Sequence, residues 1–155
     1  MKIREAKVKD LKEIDEIYKE GILDEERIQF LRKNIKEILD NLNKSEKYRL
    51  KGFRKAISSS KERILVCEDG RIIGFGGAVL SNKKRGAEIT LIYLRGEYRN
   101  KGIGSKFVKE LLKWLKNNNE ENVYATMDIK NKASINLHKK FGFKTTSIVM
   151  QKKLK

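Results

Sequence analysis

Residues 2–6, with Ile3 and Ala6 set among polar neighbours, read as a short opening strand. The spacing turns helical after Asp10, a suitable N-cap: Leu11, Ile14, Ile17 and Tyr18 fall on one face of a helix. Ile28, Leu31, Ile35, Ile38, Leu39 and Leu42 continue at helical spacing and predict a second, long helix. Leu50, Phe53 and Ile57 predict a third. Extended patterns then return. Residues 63–68 and 71–80 flank Asp69-Gly70, a strong hairpin signal. Residues 88–94 read as another strand. Ile103, Phe107, Val108, Leu111, Leu112 and Leu115 define an amphipathic helix that stops at Asn117-Asn118-Asn119. A strand over 123–129, a helix over 131–141 and one or two strands from Phe143 onward complete the pattern. This order predicts an α/β sandwich of the α+β kind, with helices flanking a mixed, mostly antiparallel sheet. A doubly wound nucleotide fold does not fit it.

Composition narrows the picture. A length of 155 residues with 39% hydrophobic content suits one folded domain, and no repeat or linker divides residues 1–155. The longest apolar stretch, residues 72–80, is too short to span a bilayer, so no membrane partner is expected. The N-terminus lacks the apolar core of a signal peptide. Cys67 is the single cysteine, which excludes an intramolecular disulfide and a cysteine metal cluster. It sits in Ile64-Leu65-Val66-Cys67 and reads as a buried strand residue. No metal site is expected, and the setting expected is the reducing cytoplasm. Formal charge is +16 and uneven: residues 1–60 hold 16 Lys and Arg against 12 acids, net +4, and residues 61–155 hold 21 against 9, net +12. Such a field favours a polyanion, whether nucleic acid, a phosphorylated cofactor or an acidic partner. The plainer reading is a charged surface kept for stability and solubility.

Candidate chemistry concentrates in Arg99-Asn100-Lys101-Gly102-Ile103-Gly104-Ser105, between a predicted strand and a predicted helix. Two glycines let the backbone approach a ligand and turn its N–H groups toward it. The helix N-terminus adds its dipole, and Arg99 and Lys101 add full charges, so the segment suits a pyrophosphate. On this reading Gly104 leaves no room for a side chain beside the ligand. A Walker loop would need Gly-Lys-Ser/Thr at its end, and a dinucleotide fingerprint a third glycine where Phe107 stands.

With the strand before it, Ile92 to Ser105 resembles the acetyl-CoA motif of the GNAT N-acetyltransferase superfamily, Gln/Arg-x-x-Gly-x-Gly/Ala after a strand. Asn131-Lys132-Ala133-Ser134-Ile135-Asn136-Leu137-His138-Lys139-Lys140-Phe141-Gly142-Phe143 is similar to the family's Asn-x-x-Ala-x-x-x-Tyr-x-x-x-Gly-Phe element. Ile3-Arg4-Glu5-Ala6, with Asp10, Ile14 and Ile17, is similar to its first strand and helix. Residues 24–60 fall outside the likeness.

The resemblance implies transfer of the acetyl group of acetyl-CoA, as co-substrate, to an amine acceptor: a small amine, a peptide N-terminus or a lysine. It implies a pyrophosphate held by the amides of Arg99, Asn100, Lys101, Gly102, Ile103, Gly104 and Ser105. It further implies a pantetheine arm along the main chain of Ile92, Tyr93 and Leu94, one N–H of which receives the oxyanion, and a contact from Asn131. Asn131 also reads as a plain helix N-cap. Glu88 precedes Arg99 by the eleven residues that separate a catalytic glutamate from the loop in the histone-acetylating branch. Strand alternation would put Glu88 on one face with Thr90, Ile92 and Leu94. As a base it would deprotonate the acceptor; as a structural residue it would pair with Lys83, Lys84 or Arg85. His138 stands where the family carries a tyrosine that protonates the leaving thiolate. It reads either as that acid or as a helix-surface histidine. Residues 24–60 are expected to shape the acceptor side, with Tyr18, Phe30, Tyr48 and Phe53 as lining or core. A non-catalytic acetyl-CoA-binding regulator and a basic protein associated with nucleic acid or ribosomes are the other classes. The second lacks stacking aromatics between its basic residues. Either a monomer or a homodimer is compatible with the sequence.

Overall fold

The computed structural model describes residues 1–29, 35–82, 86–150, 152 and 154. Strand β1 (Lys2–Glu5) leads through a 3-10 turn (Val8–Asp10) into helices α1 (Leu11–Gln29), α2 (Ile35–Lys44) and α3 (Glu46–Ile57). Strands β2 (Glu62–Glu68), β3 (Ile72–Val79) and β4 (Ala87–Leu94) follow, then a 3-10 turn (Gly96–Tyr98), helix α4 (Ile103–Asn117), strand β5 (Val123–Tyr124) and helix α5 (Lys132–Lys139). The sheet runs β1-β2-β3-β4-β5; the first four strands are antiparallel, and β5 joins β4 in parallel. This is the single mixed-sheet domain that the pattern predicts.

Each face of the sheet carries its own core. On one, Phe107, Val108, Leu111 and Leu115 of α4 are buried against Leu65, Cys67, Ile73, Ala78, Ala87 and Ile89, with Ile92 and Leu94 at the margin. The 107/108/111/115 spacing is one helical stripe, and full burial of each such side chain contributes about 1.5–3 kcal/mol. On the other face α1 and α3 place Leu11, Ile14, Ile17, Phe53 and Ala56 on Ile64, Val66, Ile72 and Phe75, with Leu91 and Tyr93 beside them. Cys67 is fully buried, and burial pushes its thiol pKa up. A buried carboxylate ties α1 to α3: Asp15 accepts from Arg49 Nε and pairs with Lys19 Nζ at 3.0 Å. Burial alone would raise its pKa, but the two cations outweigh burial and hold it below the ordinary range.

Several expected boundaries shift. The helix expected over 28–42 starts within α1, which runs to Gln29, and ends within α2, which begins at Ile35; residues 30–34, Leu31 among them, lie outside the described residues. Asp10 does not cap α1. Its carboxylate accepts from Lys7 N at 2.8 Å and from the Arg4 guanidinium at 2.7 Å, closing the preceding turn. The strand expected over 123–129 is reduced to Val123–Tyr124, and α5 is shorter than 131–141. No strand forms over 143–150: Ile148, Val149 and Met150 are exposed. A β-prone run becomes a strand only where a neighbouring chain supplies hydrogen bonds, which is a non-local condition.

Candidate active site

The segment after β4 is a row of unpaired backbone donors. The Arg99 amide is occupied by Gly96 O at 3.2 Å, and Lys106 N starts the α4 ladder by donating to Gly102 O at 3.2 Å. Between them, the amides of Asn100, Lys101, Gly102, Ile103, Gly104 and Ser105 have no partner among the described residues. Asn100 and Gly102 hold φ of 59° and 77°, left-handed positions of the kind that gather successive N–H groups into a concave nest. Helix α4 starts inside this nest and adds its dipole. A side chain at Gly102 would meet no atom but would be strained by the positive φ.

Two sequence expectations about this loop change. Arg99 adds neither its amide nor a free charge to the nest. Its Nε donates to Leu94 O at 3.2 Å, and its Nη2 pairs with Asp24 Oδ2 at 2.6 Å. Gly104 clears the neighbouring helix: a Cβ there would stand 3.1 Å from Leu137 Cδ2 on α5. Lys101 does stay beside the loop, with Nζ 5.3 Å from the centroid of the Tyr98 ring.

The open edge of β4 runs into the nest. β5 pairs with β4 at Ala87 and Glu88, so among the described residues the edge from Ile89 to Leu94 has no strand beside it. Arg95 N donates to Ile73 O at 2.9 Å, which makes Ile73–Arg95 and, two residues back, Phe75–Tyr93 the hydrogen-bonded pairs. The main chain of Tyr93 therefore faces β3, while that of Ile92 and Leu94 faces the open edge. The Leu94 carbonyl is taken by Arg99, which leaves Ile92 N–H and Leu94 N–H as the outward donors.

β4 also contains a bulge. Gly77 opposes Leu91 and Ala78 opposes Ile89, so Thr90 is an extra residue and the facing of the strand reverses there. Ala87 and Ile89 share the α4 core with Ile92 and Leu94, and Glu88 lies on the opposite face, with Leu91 and Tyr93. This corrects the alternation expected from sequence. The bulge turns Glu88 toward the side covered by α1 and α3. Its candidate partners Lys83, Lys84 and Arg85 lie outside the described residues.

Helix α5 brings the second motif alongside. Asn131 caps it, accepting from Ser134 N at 3.0 Å, and its amide nitrogen still offers donors. His138 is buried at 5% exposure, so it is not a surface histidine. A carbonyl only accepts, so the 2.9 Å contact of Nδ1 with Ser134 O places the proton on Nδ1. Nε2 is left buried with no partner among the described residues. Phe143 packs edge-on at 5.1 Å and fixes the ring plane.

On the α1 side Tyr18 meets Phe53 and Tyr93 edge-on at 5.7 and 5.6 Å. The Tyr93 hydroxyl donates to Glu25 Oε2 at 3.2 Å; burial, then the Glu25 charge, pushes its pKa well above the ordinary phenol value. Gly21 makes this possible, since a Cβ there would stand 2.6 Å from Cε1 of the Tyr93 ring and closer still to Cδ1. Phe53 is core, Tyr48 is 78% exposed, and Phe30 lies outside the described residues. The sequence reading missed Gly21, Glu20 and Asp24. Their signal was an acidic stripe at 13, 16, 20 and 24, at helical spacing, in a strongly basic chain.

A family model described as acetyltransferase (GNAT) family matches residues 22–143. The match takes in residues 24–60, which the sequence motifs had set apart, and leaves out the first strand, the turn and the first half of α1. No curated protein matches the chain. Among solved structures, the fold is shared with the PaiA N-acetyltransferase of Thermoplasma acidophilum in complex with coenzyme A. That likeness has TM-score 0.79 at 20% identity, over 96% of this chain and 92% of that one. An apo aminoglycoside 6'-N-acetyltransferase from Acinetobacter haemolyticus gives 0.71 at 16% identity over 100% and 99%. An N-acetyltransferase from Staphylococcus aureus gives 0.66 at 27% identity over 94% and 84%.

Proposed function

The chain belongs to the GNAT acetyltransferase family, and we propose that it transfers the acetyl group of acetyl-CoA to the nitrogen of an amine, with the loop after β4 as the pyrophosphate site. The observation that carries this reading is the nest of six unpaired amides, Asn100 to Ser105, beside the open edge of β4 at Ile92. These donors have no protein acceptor among the described residues, and a pyrophosphate supplies acceptors for them at a helix N-terminus. The co-substrate supplies an activated acyl thioester. Every other task falls to this chain.

The nest and the α4 dipole bind the pyrophosphate, and the Asn131 amide donates to the pantetheine arm. Ile92 N–H or Leu94 N–H, the two outward donors of β4, donates to the oxygen that gains charge as the amine attacks, an interaction worth about 3–4 kcal/mol in comparable sites. Glu88, turned by the Thr90 bulge toward the α1 side, takes the proton from the acceptor nitrogen, directly or through water. The carbon–sulfur bond breaks, and the doubly protonated form of His138 gives the Nε2 proton to the departing sulfur, leaving a neutral ring that keeps its Nδ1–H on Ser134 O. The acceptor approaches past α1 and α3; a small amine, a peptide N-terminus and a lysine are all compatible with that approach.

Calorimetry with acetyl-CoA and with coenzyme A tests the site, and thiol release across a panel of amines tests the reaction. The panel includes an aminoglycoside, the class named for one structural neighbour. Gly102→Ala, strained at φ 77°, is expected to weaken binding with little change in fold. Absence of binding to the wild-type protein would overturn the site. Binding without thiol release on any amine would point to a regulator instead.

A further inference from the structure

The acidic stripe of α1 ends on the cofactor loop. Glu13 accepts from Ile72 N at 3.0 Å, and Glu16 pairs with Arg95 at 3.3 Å. Glu20 accepts from Gly96 N at 2.8 Å, and Asp24 pairs with Arg99 at 2.6 Å. Spacings of three, four and four keep these carboxylates on one helix face. Together they run along the start of β3, the end of β4 and the first residue of the loop. Arg99 is the junction. Its guanidinium holds Leu94 O on the open edge and Asp24 on α1, and its amide is closed onto Gly96 O.

We infer that Asp24 is a positioning residue for the acetyl-CoA site, acting through Arg99 to fix where the nest begins relative to the open edge of β4. The inference rests on the loop being that site. Arg99 spans two anchors, Leu94 O on the strand and Asp24 on the helix that flanks the acceptor side. The amides from Asn100 onward have no partners of their own, so their directions depend on how the chain enters the loop at Arg99. Only a planar, multidentate cation can serve both anchors together, and lysine in its place would lose one of them. The same pairing keeps the Arg99 charge off the bound phosphates, leaving that contact to the amides and Lys101.

The test uses the intact protein with coenzyme A as probe, calorimetry for affinity, thermal melting for stability, and amide NMR shifts of residues 100–105 without ligand. Asp24→Asn is expected to weaken coenzyme A binding roughly fivefold, the scale of one partly exposed ion pair, and to shift the loop amides. Asp24→Glu should recover most of the affinity. In an Arg99→Gln background, Asp24→Asn should add no further loss, because both changes break one linkage. A residue that merely stabilised the fold would lower the melting temperature without moving affinity or the loop shifts, and that result overturns the inference. Tighter binding in Asp24→Asn would also overturn it, by showing that Asp24 restrains a phosphate-binding arginine. If the wild-type protein fails to bind, the cofactor reading falls on that arm alone, and the loop shifts still decide whether Asp24 positions the segment.

Discussion

Replacing Gly21 by alanine should destabilise the protein, although the same change in an exposed helix stabilises it. Helix propensity favours alanine by about 1 kcal/mol. Here the added Cβ would lie 2.6 Å from Cε1 of Tyr93, with Cδ1 nearer still. Restoring an ordinary carbon–carbon contact of about 3.5 Å requires roughly 1 Å of separation between α1 and the ring. The ring cannot turn aside easily, since its hydroxyl is bonded to Glu25 and it packs against the rings of Tyr18 and Phe75. Overpacking of this kind costs about 1–3 kcal/mol; with contacts this short the upper end applies, so the net loss after the propensity gain is up to about 2 kcal/mol. A displaced α1 would also carry Glu20 and Asp24 off Gly96 and Arg99, and coenzyme A affinity should fall with stability.

Urea unfolding followed by circular dichroism measures the effect as a lower midpoint at unchanged slope. Gly52→Ala is the internal control. That glycine lies in α3, a Cβ there meets nothing within 4 Å, and the substitution should stabilise by about 0.5–1 kcal/mol. In a Tyr93→Leu background, Gly21→Ala should lose most of its penalty. If Gly21→Ala raises the urea midpoint as Gly52→Ala does, the close approach of α1 to β4 is wrong, and the positioning role of α1 falls with it.

Glu88→Gln should lower turnover on a verified acceptor by about a hundredfold at neutral pH while leaving acetyl-CoA affinity unchanged, and higher pH should recover part of the rate as more acceptor amine becomes neutral. Stopped-flow or steady-state thiol release reads both effects, and near-wild-type turnover would remove Glu88 from the mechanism. His138→Phe should cost rate in proportion to the basicity of the departing thiol, so the loss should shrink with a thioester of a more acidic thiol; an equal loss on both substrates would leave His138 a packing residue. Asp10 and Asp15 are held below their ordinary pKa, Asp10 chiefly by the hydrogen bond from Arg4 and Asp15 by Arg49 and Lys19 against burial. Their stabilisation is complete above about pH 4 and is lost as pH falls through the folded-state values, so the melting temperature should drop steeply below that point. Asp15→Asn should be less stable at neutral pH and show a shallower drop in acid.

What the sequence determined by itself was everything governed by neighbours along the chain. The 107/108/111/115 stripe set helix α4, Asp69-Gly70 set the β2–β3 hairpin, and the glycines of 99–105 marked a loop able to gather amides onto a phosphate. Asn131 and His138 were placed on one helix by spacing alone. The tertiary structure decided what those residues face. Period-two alternation assigned Glu88 to the face of Ile92, but the extra residue at Thr90 reverses it, and a bulge is visible only when the partner strand supplies the register. Arg99 looked like a charge for the ligand until α1 placed Asp24 against it, seventy-five positions away in the chain. Gly104 read from sequence as room for a phosphate, and the fold adds Leu137 beside it; Gly21 drew no notice and is room for Tyr93. The run after Phe143 has strand propensity without strand structure, because a strand is completed by hydrogen bonds from another segment. Local preference is written at spacings of two to four residues, whereas contact, register and charge pairing are settled between elements that meet only when the sheet forms.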